Sequence, residues 1–422
     1  MIFEADNITV FKQKSLRWAS AFNVCCYLDS NQFKDQYSKF DALIAVGVRD
    51  EVTAQAGQAF DALHNFRNKN PDWITGFLGY DLKNEIEHLT SKNSDYLHFP
   101  DLYFFAPQHL LMIKDNQVQI NTQNAEAVWR DINQQELIQD NIALDIHLQS
   151  RFSKQEYLDA FAQIKQYINR GDIYVTNFCQ EFYAEGANIN PLQLFTALHH
   201  LSPNPFTCFF KHYQQYILCA SPERFLAKRE HQLISQPIKG TAKRCATSEE
   251  DQRIINCLRN SIKEQQENVM IVDLVRNDLT KSAQPGSVKV EELFGIYSFR
   301  QVHQMISTVT CTLQDNIPAV EVLKNTFPMG SMTGAPKLKA MQLMEQQERT
   351  RRGIYSGTIG YFAPDDDFDF NVVIRSLLYN EANRYLSFQV GSAITHDAVA
   401  EQEYDECLLK AKAILQVLNA QI

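Results

Sequence analysis

Apolar positions along this chain follow two rhythms. Up to about residue 120, short runs such as SAFNVCCYLDS (20–30), FDALIAVGV (40–48), WITGFLGYDL (73–82) and LLMIKDNQVQINT (110–122) alternate with turn residues, a pattern that predicts sheet. A polar stretch, QNAEAVWRDINQQELIQDN (123–141), then breaks the rhythm. It reads either as the boundary between an N-terminal sheet-rich region, 1–145, and a second region, 150–422, or as a surface helix. Beyond it the period lengthens. In FSKQEYLDAFAQIKQYINRGD (152–172), Tyr157, Phe161, Ile164 and Ile168 recur at helical spacing, Ser153 and Glu156 fit a capping box, and Gly171 suits the residue past a helix end. The spacing predicts a second helix from Thr247, with Glu250 in the capping position and Ile254, Ile255, Leu258 and Ile262 on one face, running at least to Glu267. A third is expected near Pro336, and a last over 398–418 with Tyr404, Leu408, Ala411, Leu415 and Leu418 on its buried stripe. QYILCA, GTIGYF, FNVVIRSLLY and RYLSFQVGSAIT read as strands between them.

Composition narrows the possible partners. With 422 residues and a net charge of -10, the chain opposes binding to nucleic acid or an anionic membrane, so an anionic substrate must be met by particular cationic side chains. The nine cysteines form no CxxC pair and read as buried thiols in a reducing compartment. MIFEADNITVFKQKSLRW has no basic start followed by an apolar core, and no run approaches a membrane span, so a cytoplasmic location is expected.

Several groups could carry chemistry. Glu264 and Glu267 are three apart on a predicted helix; Glu403 and Glu406 repeat the spacing on the last helix, with Lys410 four further on. Each pair alone reads as a solvated acidic face, whereas two such faces meeting would form an oxygen-rich Mg²⁺ site. GSMTGAPK (330–337) could offer backbone N–H groups, a helix start and Lys337 to an anion such as a carboxylate, although it lacks phosphate-loop spacing. Arg375, inside an apolar run, needs either an internal salt bridge or a substrate carboxylate. In SPERF, Glu223 follows a turn-forming proline and would serve as a general acid if burial raised its pKa. QPIKGTAKR places Lys239 between Pro237-Ile238 and Gly240-Thr241, a constrained turn that either aims an amine or leaves it solvated. Neither a G-x-S-x-G elbow nor an H-E-x-x-H zinc motif occurs.

Taken in order, SPERF, PIKGT, KEQQENVMIVDLVRNDL, FPMGSMTGAPKLKAM, RRGIYSGTIGY, FNVVIR and EYDECLLKAKAIL resemble the motifs of chorismate-utilising enzymes, a family that includes anthranilate, aminodeoxychorismate, isochorismate and salicylate synthases. The resemblance covers residues 150–422 strongly and reaches GFLGYDL (76–82) and PDLYFF (100–105) more weakly. It implies an α+β fold of the anthranilate synthase component I type, two large antiparallel sheets packed as a sandwich with helices outside, in one interlocked unit. It also implies a cleft for chorismate with Mg²⁺ on the ring carboxylate. Glu267 and Glu406 would be metal ligands supported by Glu264 and Glu403. Arg375 and Tyr355 would hold the pyruvyl carboxylate, Lys410 would lie by the ring carboxylate, and Thr241 with the backbone N–H groups of Gly391 and Ala393 would complete the binding site. Glu223 would protonate the departing C4 hydroxyl.

Within the family the pattern is nearest the aminodeoxychorismate branch, because anthranilate synthases usually carry alanine at the position of Lys239. That resemblance implies a covalent step in which neutral Lys239, with Lys243 or Arg244 and partial desolvation nearby, adds to C2, before ammonia attacks C4 and releases 4-amino-4-deoxychorismate. Formation of anthranilate plus pyruvate is the alternative. Val175 stands where isochorismate and salicylate synthases have a lysine base, which argues against water as nucleophile. Departures at Gln304, Glu181 and Ala242 concern the cleft shape, and His303 is given no catalytic role. No glutaminase motif is present, so a separate glutamine amidotransferase subunit is implied as the source of ammonia. Whether the region of YLDS (27–30) binds tryptophan is left open by the sequence.

Overall fold

The computed structural model describes residues 1–137, 146–245, 247–300 and 302–420. Its antiparallel ladders run in two layers joined by two long strands, Ala42–Ala54 and Leu102–Lys114. From one half of that pair the first layer continues through Val24–Asp29, Phe206–His212, Gln215–Ser221, Ser376–Asn380, Tyr385–Ile394 and Val175–Ala184. The other half leads through Ile74–Leu78, Thr358–Phe362, Phe368–Asn371, Arg224–Arg229 and Gln232–Gln236 to Val302–Thr312. Ile238–Lys243 and Lys289–Ser298 flank that last strand.

Period-two alternation explains the layering. On Val24–Asp29, Val24 and Cys26 face the core between the sheets, while Cys25 and Tyr27 face helices on the outer side. Phe210 of the first layer meets Phe77, Tyr103 and Phe105 at centroid distances of 5.3, 6.2 and 6.1 Å, so aromatic rings interlock the two sheets. Helices Ile8–Ser20, Lys154–Asn169, Pro191–Leu201 and Ala400–Leu418 cover the outer face of the first layer. Lys154–Asn169 forms as its sequence predicts: Ser153 and Glu156 close the capping box, Tyr157, Phe161, Ile164 and Ile168 are buried, and Gly171 takes φ +79°. Each of those four side chains contributes about 1.5–3 kcal/mol on burial. None of the described helices is long and apolar enough to cross a membrane.

One open reading is resolved and two expectations change. The polar stretch contains a surface helix, Ala125–Asn133, capped by Asn124 and anchored by Trp129 stacked on Phe3 at 4.7 Å; the boundary expected near residue 145 lies outside the described residues. The helix predicted from Thr247 through Glu267 is two helices, Ser248–Arg259 and Ile262–Thr280. Ser261 accepts from the Glu264 N–H and starts the second, and Ile262 is 70% exposed rather than on the buried face. FNVVIRSLLY is not one strand either: it breaks after Asn371 and resumes at Ser376, with Arg375 at φ +52°. Long-range bonds enforce that break, since Val372 N–H donates to Glu223 O and Val373 N–H to Gly357 O.

Candidate active site

The break before Ser376 builds half of the site. Ala220 N–H donates to Arg375 O while Val372 N–H donates to Glu223 O, so the Glu223 and Arg375 segments run side by side. A left-handed φ at a non-glycine residue costs about 1–3 kcal/mol and clusters at functional sites. Arg375 has no ion pair among the described residues, which removes the internal salt bridge as an explanation for it. Burial draws its guanidinium pKa down, opposed by the Glu223 charge. Glu223 is 5% exposed, and burial pushes its carboxyl up to about 7, with Ser331, Lys239, the Ile238 N–H and Arg375 pulling the other way. A carboxyl group so placed holds a proton near neutral pH and can deliver it.

Lys239 stands on Ile238–Lys243, half-buried, within electrostatic range of Glu223, Glu264 and Glu406. Gly240, at φ +94°, lets this strand press against Glu264; a Cβ there would lie 3.1 Å from Glu264 Oε2. The expected neighbouring cations are elsewhere: Lys243 is exposed, and Arg244 is tied to Asp251 at 2.7 Å. Thr241 is exposed and pairs in the ladder with Gln304, away from the rest of the site's side-chain hydrogen bonds among the described residues.

The two glutamate pairs do come together, 139 residues apart in sequence. Lys263 bridges them, with Nζ 3.9 Å from Glu267 and 3.5 Å from Glu403. Glu264 is raised by burial and by the charges of Glu267 and Glu406; Glu403 is raised by burial and Glu406. Burial also pushes Glu406 upward, but Lys410, 2.7 Å away, with Lys239 and Lys263 brings it below the ordinary value. Among the described residues no three acidic, His or Cys groups already form a metal cage. A donor set of hard carboxylate oxygens in mutual repulsion nevertheless fits Mg²⁺, which requires only one or two of them plus water and substrate oxygens.

Lys410 also donates to Gly391 O at 2.9 Å. That contact orients the strand edge. Cys179 N–H donates to Glu348 and Asn177 N–H to Thr333 O, so Gly391–Cys179 and Ala393–Asn177 are non-hydrogen-bonded pairs of the ladder. The N–H groups of Gly391 and Ala393 therefore point to the edge that Lys410 occupies. Tyr355 is buried among Cys179, Arg352 and Cys407, and burial raises its phenol well above the usual range. Arg352 backs it, bonded to Glu348 at 2.7 Å.

Other expectations resolve differently. Lys337 turns from the anion role: it is held, half-buried, against Asp278 at 2.5 Å and Pro328 O at 2.8 Å. His303 bonds Asp251 and Ser298, a structural role. Glu181 pairs with Arg151 at 3.0 Å, and the Gln304 Oε1 is buried without a hydrogen bond. The bridging role of Lys263 has no sequence signal beyond its four-residue spacing from Glu267, and Ser331 has none beyond its place in GSMTGAPK.

A family model described as chorismate binding enzyme matches residues 23–416. Aminodeoxychorismate synthase component 1 of Bacillus subtilis is 31% identical over 407 residues, covering 90% of this chain and 86% of its own. The protein of that name from Escherichia coli is 34% identical, covering 82% and 76%, and anthranilate synthase component 1 of Aquifex aeolicus is 32% identical, covering 82% and 74%. Among solved structures, anthranilate synthase component I from Streptococcus pneumoniae superposes with a TM-score of 0.77 at 24% identity, covering 90% and 95% of the two chains.

Proposed function

The chain belongs to the chorismate binding enzyme family, and from that premise we propose that it converts chorismate and ammonia to 4-amino-4-deoxychorismate. The observation that carries the reading is Lys239, an amine in the same charged cleft as the buried acid Glu223 and Arg375, which has no ion pair among the described residues. The relatives named aminodeoxychorismate synthase component 1 support it.

Arg375 holds the pyruvyl carboxylate, with Tyr355 beside it. Lys410 and the N–H groups of Gly391 and Ala393 orient the ring carboxylate. Neutral Lys239 adds its nitrogen lone pair to C2, both ring double bonds shift in turn, C1=C2 to C1=C6 and C5=C6 to C4=C5, and the C4–O bond breaks as Glu223 protonates the leaving hydroxyl to water. Ammonia then adds at C4, both double bonds shift back, and the C2–N bond breaks with its electron pair to restore the lysine. The surplus proton on the new C4 nitrogen returns to the Glu223 carboxylate. Mg²⁺ held by Glu267 and Glu406, with Glu264 and Glu403 supporting, would neutralise the ring carboxylate. A separate glutamine amidotransferase subunit supplies the ammonia.

Incubating the purified chain with chorismate, Mg²⁺ and ammonium, with mass spectrometry of products and a pyruvate assay, tests the reading. An amine in place of the hydroxyl, with the pyruvyl ether retained, is the expected result. Anthranilate plus pyruvate would overturn it in favour of the activity named for the Aquifex aeolicus relative.

A further inference from the structure

The chemistry above makes no use of GSMTGAPK, and one of its side chains lies beside the acid. Ser331 lies in the short turn Gly330–Met332 and is 8% exposed. Its Oγ is sealed from solvent and meets no described residue in good hydrogen-bond geometry, although it stands near enough to Glu223 to draw that carboxyl down. An unpaired buried hydroxyl costs about 1–3 kcal/mol, so what it faces is informative. Ser331 and Glu223 line one small cavity together with Ser235, Pro237, Gly330 and Asp278, of about 10 Å³, at the lower limit of the space one water fills.

Both walls of that cavity are fixed. Glu223 N–H donates to Ser221 Oγ at 3.2 Å, and Glu223 O accepts from Val372 N–H at 3.0 Å. The Ser331 turn is held by Met332 N–H on Met329 O at 3.1 Å and Thr333 N–H on Gly330 O at 3.2 Å. A Cβ at Gly330 would come within 3.1 Å of Leu274 Cβ, so the turn is pressed onto the Ile262–Thr280 helix. The charged groups around Glu223 are Lys239 from Ile238–Lys243, Arg375 from the turn before Ser376, and Asp278 from the helix, the last occupied by Lys337 at 2.5 Å. The two cations have substrate to meet. Ser331 is the neutral hydroxyl that lines the cavity with the acid.

We propose that Ser331 is a positioning residue for Glu223: its hydroxyl donates to the carboxylate once the proton has left and holds that carboxyl aimed at the cleft. The proposal rests on the reading of Glu223 as general acid. Because serine is uncharged, replacing it leaves the surrounding charges in place and isolates the hydrogen bond.

The test is a carboxyl ¹³C NMR titration of the chain labelled at glutamate, with the Glu223 signal identified by its loss in Glu223→Gln. In Ser331→Ala the midpoint should rise by about one pH unit, because the charged form loses a donor. Ser331→Thr should restore it, and the alkaline limb of turnover should move with the midpoint. A folded Ser331→Ala chain with the midpoint of the parent would overturn the proposal. If the alanine chain does not fold, Ser331→Cys, similar in shape and a much weaker donor, is read the same way. A shifted midpoint in a chain that forms no aminated product supports the Ser331–Glu223 contact while refuting the functional reading, so the two failures are separable.

Discussion

Glu223 makes the acid at the centre of the cleft measurable as stability. Its carboxyl is raised from the ordinary 4.5 to about 7, first by burial, and the side chain is almost fully enclosed. The folded chain therefore holds this proton more tightly than the unfolded chain does. The stability gained is fully present below pH 4.5, drains away as pH rises toward about 7, and is gone above it. At about 1.4 kcal/mol per pH unit the full displacement is worth about 3 kcal/mol, of which about 2.5 kcal/mol falls between pH 5 and pH 8. Glutamine has nearly the same shape and never ionises. Urea unfolding of the parent and of Glu223→Gln at those two pH values should show the variant gaining about 2.5 kcal/mol relative to the parent on going to pH 8. The same variant should lose aminating activity by about 100-fold or more, since a positioned acid contributes about 10²–10⁴. Parallel pH profiles of stability for the two proteins would refute the burial argument, even if activity were lost.

Lys239→Ala should abolish formation of the aminated product while chorismate still binds by calorimetry; full activity would remove the covalent step and leave the rest of the proposal standing. Arg375→Ala should lower kcat/KM by about 100-fold, the equivalent of one lost charge-assisted pair; because it closes no ion pair among the described residues and meets the Glu223 carboxyl only through its charge, its melting temperature should stay near that of the parent. Glu267→Gln should weaken the activity's dependence on Mg²⁺ concentration, and an unchanged response would show that the ligand assignment is wrong. Gly391→Ala should cost about 1–3 kcal/mol in denaturant unfolding, because its Cβ would lie 2.8 Å from Cys179 Sγ and 3.0 Å from Phe178 O.

Local signals were legible where the chain satisfies itself locally. The Ser153 box and Gly171 could be read because cap, apolar stripe and exit all lie within twenty residues. The second helix failed on the same kind of evidence: Thr247 and Glu250 cap it as expected, yet Ser261 supplies another cap in mid-run, and the apolar count outweighed that signal. Arg375 was legible as a residue in need of a partner but not as a strand break, because the break is set by Glu223 and Gly357 rather than by its neighbours. Lys337 and Arg244 were misjudged for the same reason. Asp278 claims the lysine from 59 positions away, and Asp251 claims the arginine across a turn.

The glutamate pairs show how a site can be half visible. Three-residue spacing put each pair on one helix face, but only the fold could say that the faces meet, and only there does their electrostatic character emerge. Four carboxylates converge with Lys239, Lys263 and Lys410, and burial with mutual repulsion still raises Glu264 and Glu403. A dicarboxylate substrate would deepen that surplus. Nearness of like charges is costly in a folded core unless something binds there that needs them. Stability alone would favour neutral residues at some of these positions; a cation entering with the substrate, as proposed above, would offset that cost.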